Sequence, residues 1–326
     1  MIKAIHCNTT HSHVFTDIPD LDEISELLKD KANIVWLDLL DPDDQEMKLV
    51  AEEFRLHPLA IEDAGRQHQR PKVEEYDNFF FVVFYNASLD DKKQDLKINE
   101  LDVFVGENFL VTVHNTSIKE LDEAERRWRR NTTQMERGIG VLLYSILDTI
   151  VDNYFPVVDA LVEESEALED QVFEGKAGQS NFTSRLLELK KLFLQLRRLA
   201  TPERDVLNVL TNRDSPIFSE HNLLYFRDVH DHLARVTDTL DLYRDQLTST
   251  MDANIAVSSH ELNKVMRTMT AASIILMSDA LISGIYGMNF ENMPELKWEY
   301  GYFGVLALMI GVSTALFIYF KRLNWF

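Results

Sequence analysis

The residues able to do chemistry fall in three places. Counting about 100° per residue, Asn263, Met266, Thr270, Ser273, Met277, Leu281, Gly284 and Met288 share one helix face. This stripe is neutral and rich in methionine, and a stripe of that kind is ordinarily a packing surface. Asp228, Asp231 and His232 stand at i, i+3 and i+4, a spacing with which one helix face can hold a soft metal. Gly287-Met288-Asn289 closes an apolar run with carbonyls and an amide, and alone it reads as a helix C-cap. The sequence has no GxxxxGK[ST] phosphate loop and no HExxH zinc motif. It reads as a non-enzyme without an organic cofactor.

The elements that must position these groups lie near the C-terminus. A helical run from about Asn263 enters an apolar segment, Ala271 to Tyr286, followed by a short polar loop, Phe290 to Leu296. A second apolar segment, Tyr302 to Phe320, stops against Lys321 and Arg322. As a helix the second is roughly 28 Å long, which matches the hydrocarbon core of a bilayer. Both read as membrane spans, with the lipid bilayer as partner. Lys264 and Arg267 precede the first, while the loop carries Glu291, Glu295 and Glu299 against Lys297. Basic flanks stay in the cytoplasm, so both termini are expected inside and the loop outside.

Gly287-Met288-Asn289, with Tyr286 before it and Phe290, Met293-Pro294-Glu295-Leu296, Trp298 and Gly301-Tyr302 after it, resembles the signature of the CorA family of divalent-cation channels. The chain end, Tyr319 to Phe326, is similar to that family's C-terminus. So are His57-Pro58-Leu59, Glu62-Asp63, His68 to Lys72 and Tyr225-Phe226-Arg227-Asp228. The resemblance implies a gated cell-membrane channel passing Mg2+, with Co2+ and Ni2+ as further ions, built as a homopentamer. Mg2+ is then both the transported ion and a regulatory ligand. The helix bearing Asn263, Met266, Thr270, Ser273, Met277 and Leu281 lines the pore, where a narrow apolar tube closes to ions by dewetting.

In the same reading Gly287, Met288 and Asn289 form the outer mouth. Mg2+ holds its water tightly, so neutral acceptors there contact the hydration shell and leave it in place. Glu291 and Glu295 raise the local cation concentration. The resemblance further implies that Asp63 and Asp228 bind Mg2+ between neighbouring subunits and hold the closed state, with Asp252 matching an acid on the inner stalk. Two other readings stay open. One is a Zn2+ or Co2+/Ni2+ transporter coupled to protons, against which Met288 speaks, because a zinc-transporting branch resembling the family carries Ile there. The other is a membrane metal sensor without conduction. The sequence departs from the family at Ser278-Asp279, where an uncharged step is usual. An ionised carboxylate inside a span costs a few kcal/mol. Asp279 is therefore expected to be protonated, or hydrogen-bonded to Ser278, Ser313 or Thr314, about 150° from the pore stripe.

The remaining chain reads as α+β. The chain has 326 residues and a formal charge of -21, which argues against nucleic acid, since phosphate binding needs a basic face. Cys7 is the sole cysteine, so no intrachain disulfide forms. Residues 1–135 form a cytoplasmic α/β domain. Its strands are expected at Ile34-Leu37 and Phe79-Phe84, and in a hairpin of Leu101-Val105 with Phe109-Val113. Residues 136–214 read as a helical hairpin, broken at Gly175 and Gly178. Thr201-Pro202 and Ser215-Pro216 each open a new helix. Residues 215–262 form a stalk helix, and residues 263–326 the membrane hairpin. Phe226, Val229, Leu233, Val236, Leu240, Tyr243, Leu247 and Thr250 form a heptad seam. That seam is expected to need symmetric partners, and hence a homo-oligomer.

Overall fold

The computed structural model describes residues 2–8, 15–17, 24–66, 68–90, 95–130, 138–175, 181–212, 217–288, 293 and 298–325. Its first unit comprises Met1–Asp170 and Ser180–Ser249. Strands β1 (Ile2–Asn8), β2 (Phe15–Asp17), β3 (Asn33–Leu40), β4 (Lys72–Glu75), β5 (Phe79–Leu89), β6 (Leu96–Gly106) and β7 (Phe109–His114) make one sheet of order β2-β1-β3-β7-β6-β5-β4. The β3–β7 pair is parallel and the others are antiparallel. Helices α1 (Ile24–Leu28), α2 (Asp44–Glu53) and α3 (Pro58–Ala64) pack Ile24, Val50, Phe54, Ala60 and Ala64 onto Leu37, Phe81, Val83 and Phe104. Both helix starts are written locally. Asp43 caps α2 in a reciprocal box with Glu46. His57 caps α3 by accepting the Leu59 N–H, with Pro58 in the first turn.

Helices α4 (Lys119–Arg130) and α5 (Ile139–Asp152) pack against one another. Trp128 of α4 meets Trp36 of β3 edge-on, and α5 lies against β5, β6 and β7. Phe79 to Ala87 of β5 is buried without a break, as a strand with helices over both faces requires. Helix α5 is long and apolar enough, together with α6 (Tyr154–Phe173), to resemble a membrane span. That stretch is buried inside the first unit, so it is a core element. Asn153 interrupts what the sequence suggests is a single helix.

Two expectations are corrected in α7 (Phe182–Asn212) and α8 (Glu220–Tyr286). Pro202 lies inside α7 and opens no new helix. A proline in a helix interior costs about 3 kcal/mol. Here burial of Ala200, Pro202, Val206 and Leu207 outweighs it. Ser215-Pro216 and Gly178 lie outside the described residues. The heptad seam of α8 is also covered within the chain. Phe226, Val229, Leu233, Val236, Leu240 and Leu247 are buried, and α7 supplies cross-contacts along the same stretch. Phe193 stacks on Tyr243, Arg197 pairs with Asp241 at 2.5 Å, and Lys190 donates to Thr248 at 3.0 Å. From α6, Glu166 accepts the Tyr243 hydroxyl. The seam therefore needs no symmetric partner.

One buried acid fastens α7 to the sheet. Glu203 is fully buried. One carboxyl oxygen accepts the Tyr85 N–H at 2.9 Å, and the Tyr154 hydroxyl oxygen lies 3.0 and 2.9 Å from the two carboxyl oxygens. That hydroxyl also lies 2.8 Å from the Tyr85 carbonyl oxygen. A phenol has one proton, and a carbonyl has none. A neutral Glu203 acid supplies a second proton, so that both short oxygen–oxygen contacts carry their own hydrogen bond. Burial agrees, pushing the Glu203 carboxyl up from 4.5 to about 8.

The second unit comprises Gln171–Gln179 and Thr250–Phe326 and contains the later part of α8 with α9 (Gly301–Arg322). Past residue 254 the covered positions on α8 are 268, 271, 275, 278, 279, 282 and 286, and on α9 they are 301, 305, 309, 312, 313, 316 and 320. Steps of three and four put each set on one face. Thr268 donates to the Trp325 carbonyl at 2.8 Å, and Phe320 stacks on Trp325.

Two outcomes test this packing. Leu233→Ala should cost about 2–5 kcal/mol in denaturant unfolding of the solubilised protein, independent of protein concentration, while exposed Leu242→Ala stays within about 0.5 kcal/mol. A concentration-dependent loss would return the seam to an interface between copies. For Glu203, the folded chain keeps its proton where the unfolded chain has released it. Stability therefore falls by roughly 1.4 kcal/mol per pH unit as pH rises from the ordinary carboxyl range, levelling above about 8. Glu203→Gln reproduces the neutral acid's hydrogen bonds and should lack that slope, so the difference in stability between the two proteins should itself change by roughly 1.4 kcal/mol per pH unit over this range.

Candidate ion path and metal cluster

Helix α8 runs unbroken for 67 residues and ends at Tyr286. Gly287 closes it by donating its N–H to the Ser283 carbonyl at 2.9 Å, and Met288 donates to Ile285 at 3.3 Å. The chain thus leaves the helix at the tripeptide. Asn289, Glu291 and Glu295 lie outside the described residues. Asn263, Met266, Thr270, Ser273, Met277 and Leu281 are all exposed. They lie between the covered positions and turn away from α9. Thr270 returns its hydroxyl to the Met266 carbonyl at 2.7 Å, so it offers no free donor to the stripe. Exposure alone does not single the stripe out, since Met269 and Leu276 on other faces are as bare.

Asp279 falls on the covered face. Ser313 of α9 donates to its Oδ2 at 2.7 Å, while Oδ1 is buried without a hydrogen-bond partner. Of the three expected partners, Ser278 instead returns its hydroxyl to Ile274 within α8. The hydroxyl bond holds the two helices together through a polar contact that apolar surroundings strengthen.

The acids expected to be regulatory separate. Asp63 on α3 pairs with Lys72 of β4 at 2.6 Å, and Lys72 also reaches Glu74 at 2.7 Å. Asp252 is exposed. Asp228 joins a cluster that Asp63 does not enter. Asp148 of α5, Asp228 and His232 each turn a ligand atom to within 4.8 Å of the other two. His232 Nδ1 lies 3.8 Å from Asp148 Oδ1 and 3.9 Å from Asp152 Oδ1, and its Nε2 lies 3.9 Å from Asp228 Oδ1. These gaps exceed a hydrogen bond but suit groups converging on a divalent ion. His232 Nδ1 is buried without a hydrogen-bond partner among the described residues, so the donor set fits a cation. Burial, with Asp152 beside it, pushes the Asp148 carboxyl up to about 6, against the pull of Arg127 and His232.

Asp231 is turned out to solvent and its carboxylate lies near His230. The spacing Asp228-Asp231-His232 is therefore replaced by Asp148-Asp228-His232. Sequence reasoning misses Asp148. The available signal is a charged residue in the middle of the apolar run Leu142 to Val151, a placement that demands a partner.

The family model described as CorA-like Mg2+ transporter protein matches residues 31–322. The cobalt/magnesium transport protein CorA of Thermotoga maritima is 34% identical over 277 residues, covering 85% of this chain and 78% of that one. The protein of the same description from Methanocaldococcus jannaschii is 30% identical over 310 residues, covering 94% and 95%. The complete structure of the CorA magnesium transporter from Methanocaldococcus jannaschii superposes with a TM-score of 0.82 at 26% identity, over 99% of this chain and 98% of that one.

The Ser313–Asp279 contact makes a sharp prediction. Asp279→Asn keeps an acceptor for Ser313 and should leave thermal stability and ion flux in vesicles near those of the parent. Asp279→Leu leaves the Ser313 hydroxyl unpaired and should lower stability by about 1–3 kcal/mol. Collapse of flux in the Asn variant at unchanged stability would show that an ionisable group is required.

Proposed function

The chain belongs to the CorA-like Mg2+ transporter family, and from that premise we propose that it is a gated channel admitting hydrated Mg2+ through the cell membrane. It is a divalent-cation transporter, not an enzyme. The observation carrying the reading is α8, whose neutral stripe turns away from α9 and ends at Gly287-Met288. One chain offers two apolar helices in its C-terminal unit, too few to enclose a path, so several copies must contribute their stripes. The resemblance implies five, with both termini in the cytoplasm.

Asn263, Met266, Thr270, Ser273, Met277 and Leu281 then line a tube without fixed charge, which stays closed while dry. Gly287, Met288 and Asn289 supply neutral acceptors to the ion's water shell at the outer mouth, and Glu291 and Glu295 gather cations there. No fuel is needed. A divalent ion crossing about 100 mV, inside negative, gains roughly 4.6 kcal/mol at ~2.3 per charge. Cytoplasmic Mg2+ held by Asp228 with Asp148 and His232, and at Asp63 and Asp252, would keep the path closed by offsetting carboxylate repulsion. The relatives described as cobalt/magnesium transport proteins support testing Co2+ as a further cargo.

Reconstituted vesicles test the proposal. Mg2+ should enter under an inside-negative potential and slow as internal Mg2+ rises. Asn289→Ala should abolish conduction, and Asp228→Ala should conduct without self-inhibition. Impermeability to Mg2+ at every internal concentration would leave a sensor that does not conduct. Flux of Zn2+ that follows a pH gradient would favour a proton-coupled carrier.

A further inference from the structure

The cluster of Asp148, Asp228 and His232 already holds a cation of the chain's own. Arg127 reaches across from α4. Its Nη1 donates to Asp148 Oδ2 at 2.8 Å and its Nη2 to Asp152 Oδ2 at 3.1 Å. The planar fork of a guanidinium thus bridges two carboxylates one helical turn apart on α5. Each acid gives Arg127 its Oδ2 and turns its Oδ1 toward His232. The remaining contact of Arg127 is with Glu123 Oε1 at 4.0 Å, and Glu123 is paired with Arg126 at 2.7 Å. Asp148, Asp152 and Asp228 set against Arg127 leave two negative charges, the complement of one divalent ion.

We propose that Arg127 is a resident counter-cation that sets the affinity of this cluster for divalent ions. It neutralises Asp148 and Asp152 when the cluster is empty and opposes the incoming ion by like charge when it fills. Without Arg127, two neighbouring carboxylates, one of them nearly buried, would face each other uncompensated. That state is relieved by metal, so an uncompensated cluster would bind at low ion concentration and stay filled. With Arg127 present, the empty cluster is stable, and filling requires more ion. The concentration at which the cluster responds is then a property of α4 as much as of the ligands. Lys72, paired with Asp63 and Glu74, is a second lysine or arginine set against a proposed regulatory acid, on a different element.

The inference rests on the cluster being the cation sensor, and the experiment separates the two. Full-length protein in detergent is stripped with chelator. Its Co2+ and Mg2+ affinities are measured by calorimetry and its thermal unfolding is followed with and without each ion. Arg127→Gln should bind Co2+ about tenfold tighter, as loss of a like charge several ångströms from the ion requires. It should unfold at lower temperature when metal-free and recover when Co2+ is added. Arg127→Lys keeps the charge and should bind close to the parent, which guards against a folding defect in the Gln variant. Equal or weaker Co2+ binding by Arg127→Gln, while Asp228→Asn and His232→Ala both weaken binding, would overturn the role of Arg127 and leave the sensor standing. Unchanged Co2+ binding in Asp228→Asn and His232→Ala would remove the sensor itself and the inference with it.

Discussion

Everything in this molecule depends on what covers the apolar side of α8. The helix has no proline and no glycine before Gly284, so nothing in its backbone divides it. Its surroundings divide it instead. Between Phe226 and Leu247 the seam is buried by the chain's own helices. From residue 268 on, the covered positions of the same helix fall along one narrow line, which bears its contacts with α9 and the residues after it. The rest of its apolar surface is bare, as is most of α9. Water does not tolerate a patch of that size. A bilayer covers such surface, and in a bilayer only elements with internally satisfied backbones persist. Within the membrane, association follows packing and polar contacts because apolar burial no longer discriminates. A neutral stripe left over after α9 has docked is therefore open to lipid or to a like copy.

Much of the fold is legible in the residues because local chemistry decides it. The unbroken apolar run of β5 can only be a strand covered on both faces. Gly106-Glu107-Asn108 between two apolar runs can only be a hairpin turn, and β6 pairs with β7 across it. The short edge strands β2 and β4, and β1 next to β2, carry too little pattern to be read beforehand. The α8 seam shows a deeper limit. Heptad spacing states that a stripe must be covered, but it does not state by which helix. An intramolecular α7 and a symmetric copy satisfy the same pattern equally well. Pro202 fails for the opposite reason. Its local signal is strong, yet the side chains around it in α7 are buried and outweigh it.

The candidate ion-handling residues divide in the same manner. The stripe from Asn263 to Leu281 follows from helical geometry alone, and the structure leaves that face clear of α9. The metal cluster does not follow from any single segment. Asp148 and His232 are far apart in sequence, and only the packing of α5 against α8 makes them neighbours. A one-helix spacing rule selects Asp231, which faces water. The burial of Asp148 in an apolar run marks it as a residue with a partner without naming the partner.

Asp148 and Asp279 are acids placed in apolar helices, and the difference between their solutions bears on which of them can respond to ions. Asp148 sits where a guanidinium and an imidazole can reach it. Its charge is balanced by cations, and a cation can be exchanged for another cation. Asp279 sits on the α8–α9 contact and is met by a hydroxyl dipole. A dipole orders an acid without neutralising it, and nothing there is exchangeable with a metal. In a span the carboxylate costs free energy unless it stays neutral or shares a hydrogen bond, and the Ser313 hydroxyl supplies that bond as a static contact between two helices. The first arrangement is open to exchange of one cation for another, and the second fixes only a geometry.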